Sequence, residues 1–388
     1  MEFGYRIKKE WLLDDEVTFL NHGSFGATPI KVIEAKEEIE RRLEREPLSF
    51  FEGEYPYLLK DAITKLANFT GAKPGDIVLV ENATTGINTV LHSLEKELKP
   101  GDEIITPNHV YQGVRNTIKY FAERTGAKAI EIDIPFPVVD NKLIIEKITV
   151  KINDRTKILI VDHVSSPTAL VFPIKELIDL CRSKGIITII DGAHAPGMTD
   201  LNLDELGADF YTGNCHKWMF APKGCAFLWV SEKWQNKINP LTISLFYGKS
   251  YQEEFAWTGT KNPSPWLGLS SAIGFYNLLN FVKVREYNHK LVCDATELIC
   301  SELKIPVHTN NEMLGFMSSI SLPVRLEPNE HITIDLRNHF MKEYKIELAF
   351  HNNNGNLLFR ISSQVYNEIE DYKKLVIAMK DFKEKNKK

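Results

Sequence analysis

The chain has 388 residues, too many for one small core and enough for two unequal lobes. Its 43% hydrophobic and 26% charged residues give an ordinary globular balance, and a net charge of −5 offers no electrostatic case for nucleic acid or an anionic membrane as partner. No apolar run reaches the roughly 18 residues a membrane span needs. The start, MEFGYRIKKEWLL, lacks an apolar signal core, and the five cysteines (Cys181, Cys215, Cys225, Cys293, Cys300) include no CxxC pair, so a cytoplasmic protein with neither disulfide framework nor metal site is expected.

Residues 1–30 read as an N-terminal arm and entrance loop, followed by a charged amphipathic helix over 31–46. From about residue 60 to 230 the pattern alternates. DIVLV (76–80) is a predicted strand, and NATTGINTVLHSLEKEL a helix. DEIITP (102–107) is a strand, then VYQGVRNTIKYFAERTG a helix. KAIEIDI (128–134), TKILIVD (156–162) and GIITIID (185–191) are β-rich, with the helix PIKELIDLCRSKG between the last two. ADFYTG and GCAFLWV complete the series. Such alternation predicts an α/β domain with a mostly parallel sheet between helices. After about 262 the texture changes to a long helical stretch (266–304), GFMSSISLP, a helix near 331–343, IELAF, NLLFRIS and a closing helix from 365. The expected division is a large domain over 31–262, whose first helix could join the other lobe, and a smaller α+β domain over 263–388.

Ligands of open α/β sheets bind at the carboxyl ends of the strands, so the residues that follow each strand carry the functional reading. After DIVLV, Asn82 can cap a helix whose first turn holds Ala83 and Thr84; the free N–H groups and the dipole there suit a phosphate, or serve an ordinary cap. After DEIITP, His109 is either a surface residue or a platform for a flat ring. After TKILIVD, the polar His163, Ser165 and Ser166 could hydrogen-bond a ligand edge or only form a turn. Asp191 ends a very apolar strand, where a carboxylate is costly unless paired, with His194 three residues on. Lys217 follows ADFYTGNCH and is flanked by Trp218, Met219 and Phe220; a desolvated amine there is a usable nucleophile. One buried lysine, one buried carboxylate 26 residues earlier, a phosphate seat and a flat-ring neighbour match the needs of pyridoxal 5′-phosphate. Its aldehyde wants a lysine, its ring nitrogen an anion and its phosphate a helix N-terminus.

FLNHGSFGATP, DHVSSPTALVFPI, DGAHAPG, GNCHKWMFAPKG, WTGTKNPS and RISSQVYN occur in this order. Together they resemble the class V, fold type I, family of pyridoxal-phosphate-dependent aminotransferases, which includes cysteine desulfurases. The nearest likeness is to its isopenicillin-N-epimerase-like and C–S lyase branch. The resemblance covers nearly the whole chain and implies a seven-stranded, mostly parallel sheet plus a smaller C-terminal domain. It implies that Lys217 binds the cofactor aldehyde and shuttles protons, Asp191 pairs with the ring nitrogen, His194 meets the ring hydroxyl and His109 stacks on the ring. Ala83, Thr84, His216 and Asn214 would hold the phosphate, with Ser166 at the ligand edge. Thr260 would reach the phosphate of a neighbouring subunit, which makes a homodimer with active sites at the interface. Arg360 would clamp the α-carboxylate of an amino-acid substrate, and Asn21 and His22 would sit at the substrate mouth.

The desulfurases carry a nucleophilic cysteine shortly before the segment matching RIS. This chain has no cysteine after Cys300, which argues against their mechanism. The implied reaction is β-elimination by a C–S lyase, or epimerisation. Transamination, desulfurase-type chemistry and a catalytically silent scaffold of the same fold are the alternatives; the joint presence of Lys217, Asp191, His109 and Arg360 counts against the scaffold.

Overall fold

The computed structural model describes residues 2–138, 140–307, 309–326, 329, 331–353 and 355–386. A short strand, β1 (Thr18–Phe19), opens the chain. Seven strands follow: β2 (Ile77–Val80), β3 (Glu103–Pro107), β4 (Lys128–Ile132), β5 (Thr156–Asp162), β6 (Ile187–Asp191), β7 (Phe210–Asn214) and β8 (Ala226–Val230). They form one sheet in the order β2-β8-β7-β6-β5-β3-β4. Only β8 runs against the rest, since it pairs antiparallel with both β2 and β7 while the other pairs are parallel.

The central strands are buried along nearly their whole length, and Ile158, Ile160, Ile189, Phe210 and Leu228 on one face and Leu159, Val161, Ile190 and Tyr211 on the other enter separate apolar cores. This two-sided burial explains why the strands read as continuous apolar runs rather than as alternation. The strand order reverses between β3 and β5. The crevice at a carboxyl-end switch point is where such sheets receive ligands. The loops that leave β3 and β5 meet there: the Ser165 hydroxyl donates to the His109 carbonyl at 2.9 Å.

A second sheet has the order β11-β12-β9 and is antiparallel, made of β9 (Met317–Ser321), β11 (Ala349–Asn353) and β12 (Asn356–Ser362). It shares a core with the helices Phe281–Leu303, Ile332–Tyr344 and Ile369–Lys385. β1 leaves the N-terminal arm to pair with β10 (Ile346–Glu347), a long-range pairing that the sequence reading did not contain.

Some elements differ from expectation. The stretch 266–304 is not one helix: it breaks at Asn280, which adopts φ 67 and caps the next helix through Lys283 N–H. Asparagine tolerates that left-handed backbone and supplies the capping oxygen. The helix from Ala83 stops at Ser93, and β4 stops at Ile132. Helices Tyr55–Thr70 and Asn141–Lys151 form where the sequence reading places no element. The helix predicted at 31–46 forms over Ile30–Arg45. The closing basic tail ends in Lys387 and Lys388, which lie outside the described residues.

Candidate active site

Lys217 follows β7 on a tight turn whose neighbours Trp218, Met219 and Phe220 are fully buried. Phe220 takes φ 63, a conformation held by its packing against Trp11, Phe275 and Tyr276. The turn is pressed from outside by Gly26: at φ 71 a Cβ there would lie 2.1 Å from the His216 carbonyl oxygen, so only glycine fits. His22 holds the lysine backbone. Its Nε2 lies 3.0 Å from the Lys217 carbonyl and its Nδ1 2.7 Å from the Tyr366 hydroxyl. A carbonyl only accepts, so Nε2–H donates and Nδ1 accepts from the tyrosine. His22 is thus buried under the turn, with Trp218 4.9 Å from it ring to ring. The expected place for it at a substrate mouth is corrected: both nitrogens are spent inside the protein.

The Lys217 amine lies 3.0 Å from His194 Nε2. Burial, then the Arg360 charge, pushes its pKa down to about 7, partly opposed by Asp191 and Asp162. His194 is held well below its usual value by burial and by Lys217, and its Nδ1 is buried with no hydrogen-bond partner among the described residues. Asp191 is buried at the end of β6, accepts from Ala193 N–H at 2.9 Å, and has a pKa raised by burial. Its register neighbour on β5 is Asp162, also buried, with one unpaired oxygen and a pKa driven well up by burial and by Asp191. Sequence reasoning passed over Asp162, although it carries the same signal as Asp191, a carboxylate closing an apolar strand.

His109 is buried, with Nδ1 2.8 Å from Thr168 Oγ1 and Nε2 2.9 Å from the Ile134 carbonyl. With its edge engaged, only its ring faces remain for a ligand. At the start of the helix Ala83–Ser93, Asn214 Oδ1 accepts from Ala83 N–H and Asn82 Oδ1 from Thr85 N–H, both below 3 Å, and Gly86 N–H goes to the Asn82 carbonyl. That leaves the Thr84 N–H, at an exposed position, for an incoming anion. The Asn214 side-chain oxygen is committed to Ala83, which leaves its Nδ2 donors as the groups an anion could meet. Gly86 lets this helix sit on β7, since a Cβ would come within 2.2 Å of Thr212 Oγ1. His216 donates through Nδ1 to the Cys225 carbonyl, and burial lowers its pKa to about 4.

Arg360 on β12 is 2% exposed. Its Nη1 donates to the Ser166 carbonyl at 2.7 Å and hydroxyl at 3.2 Å, and its Nη2 to Ser24 Oγ at 3.1 Å. Burial lowers its pKa to about 10. Among the described residues no carboxylate lies within ion-pair distance of it, so this guanidinium is a buried cation held by neutral groups. Ser166 therefore serves Arg360. Ser24 donates to Asn21 Oδ1 at 2.6 Å, and Asn21 borders a cavity of about 550 Å³ together with Phe25, Lys223 and Glu347. Ser24 and Thr168 were not anticipated; their hydroxyls join segments distant in sequence, which no local pattern reveals.

Thr260 stands apart from this cluster. It is exposed, on a groove of about 790 Å³ lined by Leu48, Phe51, Leu245 and Trp257. Cys215, next to the motif, is fully buried with its pKa driven well up by burial and by Cys225, an inert thiol. No group of three or more potential metal ligands occurs among the described residues.

The model of a family described as Aminotransferase class-V matches residues 29–331. Similar relatives include a probable chloroplastic L-cysteine desulfhydrase of Arabidopsis thaliana, 29% identical over 93% of this chain and 82% of its own. Another is an isopenicillin N epimerase of Amycolatopsis lactamdurans, 30% identical over 95% of this chain and 96% of its own. Among solved structures, a cysteine desulfurase from Thermococcus onnurineus NA1 superimposes with a TM-score of 0.82 over 98% of both chains at 23% identity, a likeness of fold.

Proposed function

The chain belongs to the class V aminotransferase family, and from that premise we propose that it is a C–S lyase that removes a sulfur group from the β-carbon of a cysteine-type amino acid. The enzymes of this family are pyridoxal-5′-phosphate-dependent, and the fold is fold type I. The residues here fit the cofactor. A carboxylate oxygen of Asp162, Nδ1 of His194 and the charge of Arg360 are buried polar groups left without a full complement of protein partners. Such groups call for a polar ligand. Lys217 would hold the cofactor aldehyde and Asp191 its ring nitrogen. His194 would meet the ring hydroxyl and His109 a ring face. Thr84 and the helix start at Ala83 would hold the phosphate, joined by His216 through Nε2 in its protonated form, which a phosphate charge would favour. When bound, the cofactor supplies an electron sink for the bond-breaking at the substrate α-carbon.

The observation that carries the proposal is the Lys217 amine, with its pKa brought down to about 7 by burial. Near neutrality it is substantially uncharged, able to take a proton from the α-carbon and return one. Arg360 holds the α-carboxylate in a fork suited to it, with Ser166 and Ser24 fixing the guanidinium. One base suffices for elimination, and the relatives named as cysteine desulfhydrases support that outcome. Epimerisation is the second reading, favoured by 30% identity to an epimerase along nearly both whole chains; it needs a proton donor on the opposite face as well. The test is a product screen with cysteine, cystine, cysteine conjugates, cysteine sulfoxides and common amino acids. Pyruvate with sulfide or a thiol supports the lyase, racemised amino acid the epimerase, and keto acid with retained sulfur a transaminase.

A homodimer is part of the proposal. Leu48 and Leu245 are 70 and 76% exposed on the groove that holds Thr260. An apolar patch of this kind marks an interface, and a second copy seated there would bring Thr260 toward the neighbouring phosphate. A cytoplasmic setting suits the five free cysteines, and no helix among the described residues is long and apolar enough to cross a membrane.

A further inference from the structure

His351 lies on β11 two residues beyond Ala349, the register partner of Arg360. Alternate residues of a strand share a face, so His351 and Arg360 lie on one face of the small sheet, about 7 Å apart along the strands. That face meets the loop after β5. Arg360 binds Ser166, and the Ser319 hydroxyl donates to the Pro167 carbonyl at 2.9 Å. A cavity of about 160 Å³ lies in this seam, lined by Asn108, Tyr111, Ser166, Asn352 and His351 among others. Nε2 of His351 is buried and has no hydrogen-bond partner among the described residues. Burial and the Arg360 charge push the pKa of this imidazole down to about 3, so it is neutral at working pH and offers one donor and one acceptor. A charge on it would be felt at His194, beside the Lys217 amine.

We infer that His351 receives the polar side-chain end of the substrate, hydrogen-bonding the heteroatom on its β-carbon while Arg360 holds the α-carboxylate. This rests on the reading of Arg360 as the carboxylate clamp. A neutral imidazole on the same face as the clamp, one alternate position along the strands, suits amino acids with a polar β-substituent, a thiol, hydroxyl or oxidised sulfur. His351 is a specificity residue: a site built to hydrogen-bond a substrate group discriminates against the analogue that lacks it.

The test is binding of L-serine and L-alanine to the cofactor-loaded enzyme, followed by calorimetry and by absorbance, in wild type, His351→Ala, His351→Gln and Arg360→Ala. The expected result is that His351→Ala loses about tenfold in serine affinity, as for one hydrogen bond. Alanine affinity should stay unchanged, and His351→Gln should recover most of the loss. Unchanged serine affinity, or equal weakening of both ligands, would overturn the assignment while leaving the clamp intact. Alanine binding untouched by Arg360→Ala, or a wild type that binds neither ligand, would overturn the clamp reading and this assignment with it.

Discussion

The Lys217 amine stands 3.0 Å from His194 Nε2, two buried bases in hydrogen-bond contact. Burial and the neighbouring Lys217 keep His194 from taking a proton, while burial and the Arg360 charge draw the lysine pKa down to about 7. Near neutral pH a large share of the lysine is therefore uncharged, the state in which an amine can act as nucleophile and base.

A stability effect follows, with a definite sign. Burial lowers the Lys217 pKa from 10.5 to about 7 on folding. Between these values the unfolded chain binds a proton that the folded chain does not, so stability rises with pH across that window. The penalty is full below about pH 7 and fades toward 10.5. Lys217→Met should therefore raise the Tm of cofactor-free protein most below about pH 7, with the gain shrinking as pH climbs. A gain independent of pH would show that the amine is not desolvated.

Asp191→Asn keeps the shape and removes the charge. Cofactor should be retained, while turnover falls on the order of 10²-fold or more, the scale for losing a preorganised electrostatic partner. Single-turnover kinetics and the visible spectrum check this together; normal turnover would remove the ring-nitrogen role.

Arg360→Ala should raise KM for carboxylate-bearing substrates by at least about tenfold, as for loss of a charged hydrogen bond. Arg360→Lys should recover little, since an ammonium cannot reproduce the fork that also binds Ser166 and Ser24. An unchanged KM would count against the clamp.

Leu48→Glu combined with Leu245→Glu places charges in the apolar groove beside Thr260. Light scattering should show monomer in place of dimer, with weaker cofactor retention. Thr260→Ala alone should weaken retention without changing mass. A wild-type protein that is monomeric at assay concentration would refute the shared site.

Much of this site was legible because sheet topology does the positioning. A lysine or aspartate at the carboxyl end of an apolar strand must either leave the core or be used there, and Lys217 and Asp191 carry that signal in their neighbours. Arg360 needed the motif around it, since nothing local distinguishes NLLFRIS from an edge strand. His22 was misplaced because its partners, the Lys217 carbonyl and Tyr366, lie 195 and 344 residues away. Asn214 shows the same limit from the other side. Its oxygen accepts from the helix start at Ala83, a partner 131 residues away that no local pattern reveals, and this turns its amide nitrogen into the group that would face a phosphate. The break at Asn280 was missed because apolar periodicity continues through it, and only the backbone angle marks the boundary.

The most direct test is to reduce the cofactor-loaded protein with borohydride and locate the modified residue by peptide mass spectrometry. The phosphopyridoxyl group is expected on Lys217, with no such adduct in Lys217→Ala. An adduct on another lysine, or none at all in a protein that turns over amino acids, would contradict it.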